Sequence, residues 1–132
     1  EGATKLVECS VHHAPDTKLA KAISKSIITS SLTKAAMFGA DANWGRILCA
    51  IGYTEGDFAV DTISVSISSC KGDILVCEKG AGVPFDEDKA KEILLQEEIN
   101  IDVDMQEGDG EATAWGCDLT YDYVKINGDY RT

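Results

Sequence analysis

The clearest structural signal in the sequence is the stretch Thr62-Ile-Ser-Val-Ser-Ile-Ser68, in which apolar and polar residues alternate without a break. A period of two places successive side chains on opposite faces, so this stretch predicts a half-buried β-strand. The turn Lys71-Gly-Asp73 follows it and leads into a second strand-like run at residues 74–78. Because a short glycine turn between two such runs is typical of a hairpin, we expect the two strands to pair.

Three further strands are predicted from the same alternation, at residues 4–11, 99–105 and 112–119. The last two are separated by the turn Gly108-Asp-Gly110, and we expect them to pair as a second hairpin. Segments with a helical period of apolar residues and with capping residues separate the strands. These predicted helices cover residues 16–29, 32–38, 86–97 and 121–127, the last with Gly128 as its C-terminal stop.

Residues 46–53 are apolar almost all round, which fits a short buried helix or a strand equally well. The order of strands and helices predicts one domain over residues 1–132, of the α+β (layered α/β) class, with a mixed or antiparallel sheet packed with helices. A chain of 132 residues is long enough to bury a hydrophobic core without disulfides.

Charge and composition exclude several classes of partner. The net charge is −11 and the sequence pI is about 4.4, so phosphate backbones and anionic lipid surfaces are repelled. We therefore expect no nucleic acid and no membrane as partner. The five cysteines form no disulfide-framework spacing, which suggests a reducing, cytoplasmic location.

The residue types that commonly carry chemistry do not form a complete site. His12 and His13 are neighbours after a predicted strand, so their side chains point to opposite faces and do not favour a shared metal. Asp102 and Asp104 begin like a calcium loop, but Glu107 stands where that loop needs glycine. No nucleophile elbow is present. We expect no catalytic residue and no metal site in this chain.

Two unusual segments remain. Residues 38–46 form a loop that is dense in turn-forming residues, for which a rigid packed loop is favoured over substrate contact, with an ion pair between Asp41 and Arg46. Residues 111–132 end the chain with Trp115, three tyrosines and several aliphatic side chains. Either this tail simply completes the core, or its docked carboxylate at Thr132 recognises a small zwitterion beside Asn127.

Three motifs in order resemble a known family. They are Glu1-Gly-Ala-Thr-Lys5, Met37-Phe-Gly-Ala-Asp-Ala-Asn-Trp-Gly-Arg-Ile47, and Trp115-Gly-Cys-Asp-Leu-Thr-Tyr-Asp-Tyr-Val-Lys-Ile-Asn127 with the terminal Tyr-Arg-Thr132. The chain looks like the C-terminal part of the β chain of ornithine acetyltransferase, the bifunctional glutamate N-acetyltransferase of arginine biosynthesis. The resemblance covers essentially the whole sequence.

The resemblance implies an enzyme that cuts its own precursor before an internal threonine, giving an α and a β chain. The new N-terminal threonine of the β chain attacks the acetyl group of N2-acetylornithine, releases ornithine, and passes the acetyl group to glutamate in a ping-pong cycle. No cofactor is implied, although some members also accept acetyl-CoA as the acetyl donor. The implied assembly is an αβ oligomer.

The sequence departs from the family at the reaction centre, because it begins at Glu1, downstream of the expected threonine nucleophile. We expect a fragment of the β chain that is inactive without the α chain and the N-terminal part of the β chain. Three substrate-binding positions carry over from the resemblance: Glu1, Asn127 and Thr132. The alternative functions are a non-catalytic module that binds an amino acid or a partner protein, and a related self-processed amidohydrolase.

Overall fold

Six strands form one sheet across residues 1–131, which is the part of the chain that the computed structural model describes. The strands are β1 (Leu6–Ala14), β2 (Ser64–Ser69), β3 (Gly72–Glu78), β4 (Ala81–Gly82), β5 (Glu98–Asp104) and β6 (Gly110–Cys117). The helices described in the same range are α1 (Thr17–Thr29), α2 (Ser31–Phe38), α3 (Trp44–Gly52), α4 (Glu87–Leu94) and α5 (Tyr121–Asp129).

The sheet is mixed, with the strand order β4-β3-β2-β5-β1-β6. β1 runs parallel to β5, whereas every other neighbouring pair is antiparallel. The predicted α+β class with a mixed sheet packed with helices is confirmed. The hairpin predicted from Thr62–Ser68 is also confirmed, since β2 and β3 pair directly through the glycine turn.

The second predicted hairpin is wrong. β5 and β6 do not pair with each other, because β1 lies between them and bonds to both. The connection from β5 to β6 crosses the end of β1, where the backbone N–H groups of Met105 and Glu107 donate to the carbonyl oxygens of His12 (3.0 Å) and His13 (2.8 Å). Gly110 is required where β6 begins, since an added Cβ would lie 2.3 Å from the backbone of Asp16.

The core lies on one face of the sheet. Alternate residues of β1, β2 and β5 are buried on the face that α1 and α4 cover. The other face of these strands carries half-buried polar side chains, among them Glu8, Asn100 and Asp102. The largest fully buried side chains are Ile23, Ile27, Met37, Ile47, Ile51, Ile63, Ile67, Ile93, Leu94, Ile99, Ile101 and Met105.

The helices begin where capping residues allow. Asp16, Ser30 and Asn43 cap α1, α2 and α3, and each side chain accepts from the backbone N–H three residues further on. The ambiguous run at residues 46–53 belongs to helix α3. Two predicted helix ends are wrong: α4 stops at Leu94 because β5 begins at Glu98, and α5 continues through Gly128 to Asp129. Within residues 1–131 no helix has the length and apolarity to span a membrane.

Candidate functional site

The start of the chain lies against the last helix, α5. The side-chain amide of Asn127, on α5, donates to the backbone carbonyl oxygens of Glu1 (3.3 Å) and of Tyr123 (2.8 Å). Two of the three residues proposed for substrate binding, Glu1 and Asn127, are therefore brought together. The third, Thr132, lies outside the described residues.

Asp118 fixes the segment that follows Glu1. Its carboxylate is fully buried, and it accepts from the backbone N–H groups of Thr4 (2.9 Å) and Lys5 (3.0 Å) and from the hydroxyl of Thr4 (2.5 Å). A buried carboxylate is tolerated when hydrogen bonds replace its lost hydration. These three bonds supply that replacement, and they tie the start of β1 to the end of β6.

Thr120 provides a second tie at the start of α5. Its hydroxyl donates to the carbonyl oxygen of Gly2 (2.5 Å) and accepts from the backbone N–H of Tyr123 (2.8 Å). The same hydroxyl therefore caps the helix and holds the N-terminal segment against it.

Gly2 is the closest point of approach between this segment and α5. It has a φ of +88°, and an added Cβ would lie 2.5 Å from the backbone nitrogen of Tyr123. Real Cβ contacts are never this short, and a side chain at this φ is strained. Only glycine fits at this position; a larger residue would move the segment, and Glu1 with it, away from α5.

Lys5 connects the same segment to the ends of two helices. Its Nζ donates to the carbonyl oxygens of Met37 (2.6 Å) at the end of α2 and Leu94 (2.8 Å) at the end of α4. A cation is favoured at these positions because the carbonyl ends of helices carry partial negative charge. Burial lowers the pKa of Lys5, and the nearby carboxylate of Asp118 partly opposes that shift.

Both candidate residues are accessible to a ligand. Glu1 and Asn127 are exposed, and a cleft of about 340 Å³ adjoins the segment, lined by residues 3–6, Cys117, Glu97 and Glu98. Glu97 and Glu98 bring two carboxylates to this cleft, which suits it to an ammonium group, whereas Glu1 and Asn127 do not line it. Both N–H groups of the Asn127 amide point to backbone carbonyls, so its Oδ1 is the atom left to contact a ligand.

The last helix, α5, is not held by apolar burial. α5 has no buried residue; Tyr121 is 83% exposed and Val124 is 58% exposed. Tyr121 makes an edge-on ring contact with Phe38 on α2, with ring centroids 5.4 Å apart. The expectation that the tail's apolar side chains complete the core is therefore wrong for α5.

The other segments singled out in the sequence have structural roles. Arg46 donates to the carbonyl oxygen of Leu32 (3.0 Å) rather than pairing with Asp41, which instead accepts from the side chain of Asn43 (3.1 Å). His13 Nδ1 lies 3.0 Å from a carboxylate oxygen of Asp104. Among residues 1–131, no group of three or more His, Cys, Asp and Glu side chains is arranged to hold a metal ion.

Sequence reasoning treated Asp118 and Lys5 only as members of the family motifs, and Thr120 only as the cap of the last predicted helix. The available signal was position, because Asp118 and Thr120 stand between the last strand and the last helix. A polar pair at such a junction can bond to a neighbouring segment as well as to its own helix.

The domain belongs to the α+β class, with one mixed sheet packed with helices. Its candidate site is polar and lies where the start of the chain contacts α5. The sequence profile of the ArgJ family matches residues 1–132, and the chain belongs to the ArgJ family. The resemblance drawn from the three sequence motifs is thereby confirmed.

Individual relatives agree with this assignment. The arginine biosynthesis bifunctional protein ArgJ of Caldanaerobacter subterraneus subsp. tengcongensis is 54% identical over 100% of this chain and 33% of its own length. The glutamate N-acetyltransferase of Methanopyrus kandleri is 47% identical over 100% of this chain and 34% of its own length. The chain thus spans about a third of the length of these curated relatives.

A solved structure has the same fold. The crystal structure of the arginine biosynthesis bifunctional protein ArgJ from Bacillus halodurans superposes with a TM-score of 0.91 and 43% sequence identity. The match covers 98% of this chain and 60% of that chain.

Proposed function

We propose that this chain is a single domain forming the C-terminal part of a glutamate N-acetyltransferase β chain, and that it supplies substrate-binding residues. The enzyme would move the acetyl group of N2-acetylornithine to glutamate. Family membership and the name of the Methanopyrus kandleri relative support the reaction. The observation that carries the proposal for this chain is the contact between Asn127 and Glu1, which joins two candidate substrate residues from opposite ends of the sequence.

Each of these residues has a role that suits an amino-acid substrate. The carboxylate of Glu1, and that of Thr132 if it ends the chain, would pair with the side-chain ammonium of ornithine through charge-assisted hydrogen bonds. The Oδ1 of Asn127 would accept from an N–H of the substrate, because its own N–H groups are already bonded to protein carbonyls. Glu97 and Glu98 line the adjoining cleft and add to its attraction for a cation.

The bond-making groups belong to other parts of the proposed enzyme. A threonine hydroxyl would attack the acetyl carbonyl, with its own α-amine as base, and ornithine would leave as the free amine. The amine of glutamate would then attack the acetyl ester and regenerate the threonine. Under this proposal the chain works with an α chain and the N-terminal part of the β chain in a cytoplasmic αβ oligomer. No cofactor is needed, and acetyl-CoA remains an alternative acetyl donor.

The test uses the longer acetyltransferase that is proposed to contain this chain. Glu1→Gln and Asn127→Ala are each expected to raise the KM for N2-acetylornithine about tenfold, because each removes a charged or polar contact to the substrate. If Thr132 ends the enzyme, residues added after it should raise the same KM by displacing its carboxylate. The control is Glu78→Gln on β3, near the opposite edge of the sheet from β1. Steady-state kinetics at unchanged KM for Glu1→Gln would contradict the proposed site.

A further inference from the structure

Residues 1–4, which precede the Lys5 anchor, have few means of holding their position. β1 begins at Leu6, so residues 1–5 have no strand partner in the sheet. The hydrogen bonds of Glu1, Gly2 and Thr4 go either to residues 118–120, which connect β6 to α5, or to α5 itself. The position of Glu1 is thus set from that run, and Asp118 is its most deeply buried member.

Asp118 and Thr120 hold the segment at two points. Asp118 binds the backbone of Thr4 and Lys5, and Thr120 binds the carbonyl of Gly2, the residue next to Glu1. The same short run begins α5, which carries Asn127. Residues 118–120 therefore set the positions of both candidate substrate residues, Glu1 and Asn127.

Asp118 is suited to this task because its bonds are directional and its own side chain is fully buried. One carboxylate oxygen accepts from two successive backbone N–H groups, which fixes the direction of the chain there. The other accepts from the hydroxyl of Thr4, which fixes the side chain as well. A bond network of this kind, once buried and fully paired, holds one geometry.

From this geometry we propose that Asp118 is a positioning residue of the substrate site, which sets the placement of Glu1 relative to Asn127 without touching the substrate. This inference rests on the function proposed above. It predicts that the Asp118 carboxylate affects substrate affinity, and that the Thr4 hydroxyl bonded to it does so as well.

Four variants of the longer acetyltransferase separate positioning from stability. Asp118→Ala removes all three bonds, and it is expected to raise the KM for N2-acetylornithine about tenfold with a smaller change in kcat, since misplacing a substrate contact weakens binding. Thr4→Val removes one bond at an exposed residue, keeps the volume of the side chain, and should raise KM about threefold.

Asp118→Asn is the conservative variant. Its carbonyl oxygen can still accept from the two backbone N–H groups, and its amide can donate to the Thr4 hydroxyl, so KM should stay within about twofold of the parent. Asp16→Ala is the matched control, because Asp16 also accepts a backbone N–H (2.7 Å, from Leu19) but caps α1. It should lower the melting temperature and leave KM unchanged.

The outcomes are distinct. An increase in KM in the order Asp118→Asn, Thr4→Val, Asp118→Ala, with Asp16→Ala at the parental value, supports the positioning role. If Glu1→Gln raises KM but Asp118→Ala and Thr4→Val behave like Asp16→Ala, the positioning role is overturned while the proposed function stands. If Glu1→Gln itself leaves KM unchanged, the proposed site fails and the inference fails with it.

Discussion

The side-chain amide of Asn127 donates to the backbone carbonyl of Glu1 across 3.3 Å, although 126 positions separate the two residues in the sequence. This contact is possible because Gly2 lets the chain pass directly over the first turn of α5. The geometry of the candidate site therefore depends on how closely the segment before β1 can approach that helix.

Gly2→Ala tests this dependence. The added methyl group would lie 2.5 Å from the backbone nitrogen of Tyr123, at a φ of +88°, so the segment must move away from α5. We expect a loss of about 1–3 kcal/mol in the free energy of unfolding, which is the usual cost of strain at such a position. In the longer acetyltransferase, the KM for N2-acetylornithine should also rise.

Gly128→Ala is the matched control on the same helix. An added Cβ at Gly128 meets nothing within 4 Å, and alanine is the better helix former by about 1 kcal/mol. Urea denaturation should therefore show equal or greater stability for this variant. A Gly2→Ala protein as stable as Gly128→Ala would contradict the close approach of Gly2 to α5.

Lys5→Met tests the link between the N-terminal segment and two helix ends. The variant removes hydrogen bonds from the ammonium to the carbonyls of Met37 and Leu94 and keeps most of the aliphatic stem. We expect it to lower the free energy of unfolding by about 1–2 kcal/mol. This loss is smaller than that for fully buried hydrogen bonds of a charged group, because Lys5 is partly exposed. The exposed Lys18→Met should change it by less than about 0.5 kcal/mol in the same urea titration.

The local parts of the fold could be predicted from the sequence. Helices α1 and α2 begin within one residue of the starts predicted at residues 16 and 32, because a cap depends on residues within one turn. The pairing of β2 with β3 was also predictable, since a two-strand hairpin is closed by its own turn.

The non-local parts could not be predicted. Alternation in β5 and β6 showed which face of each strand is buried, but not which strand lies beside it, and β1 pairs between them. The tie from Asp118 to Thr4 spans 114 positions and leaves no periodic trace in the sequence. The family motifs indicated Glu1 and Asn127 as site residues, but their contact is visible only in the folded structure.

Ile101→Ala tests the position of β5 at the centre of the sheet. Ile101 is fully buried between its neighbours on β1 and β2, Cys9 and Ile67. Truncating a fully buried isoleucine leaves a cavity and costs about 2–5 kcal/mol, so we expect a loss in this range by urea denaturation. Leu95→Ala removes the same number of carbon atoms from a side chain that is 58% exposed, and it should cost much less. Equal losses for the two variants would contradict the assignment of β5 to the core.

Cys9 gives the stability a pH dependence whose sign can be derived. Burial in β1, with a smaller contribution from the charge of Asp102, raises the pKa of the Cys9 thiol from 9.0 to about 12. Between these two values the unfolded chain releases the thiol proton while the folded chain keeps it, so stability falls as the pH rises. This group alone should remove about 1.4 kcal/mol between pH 8 and pH 10.

The measurement is the difference in unfolding free energy between pH 8 and pH 10, from urea titrations of the parent chain, Cys9→Ala and Cys49→Ala. Contributions from other titrating groups are common to all three proteins and cancel in the comparison. Cys9→Ala is expected to be less stable at pH 8, because it leaves a small cavity, but to lose about 1.4 kcal/mol less than the parent on going to pH 10. Cys49 is exposed, and its replacement should leave the loss at the parental value. A Cys9→Ala protein with the parental loss would show that the Cys9 thiol ionises as readily in the folded chain as in the unfolded one.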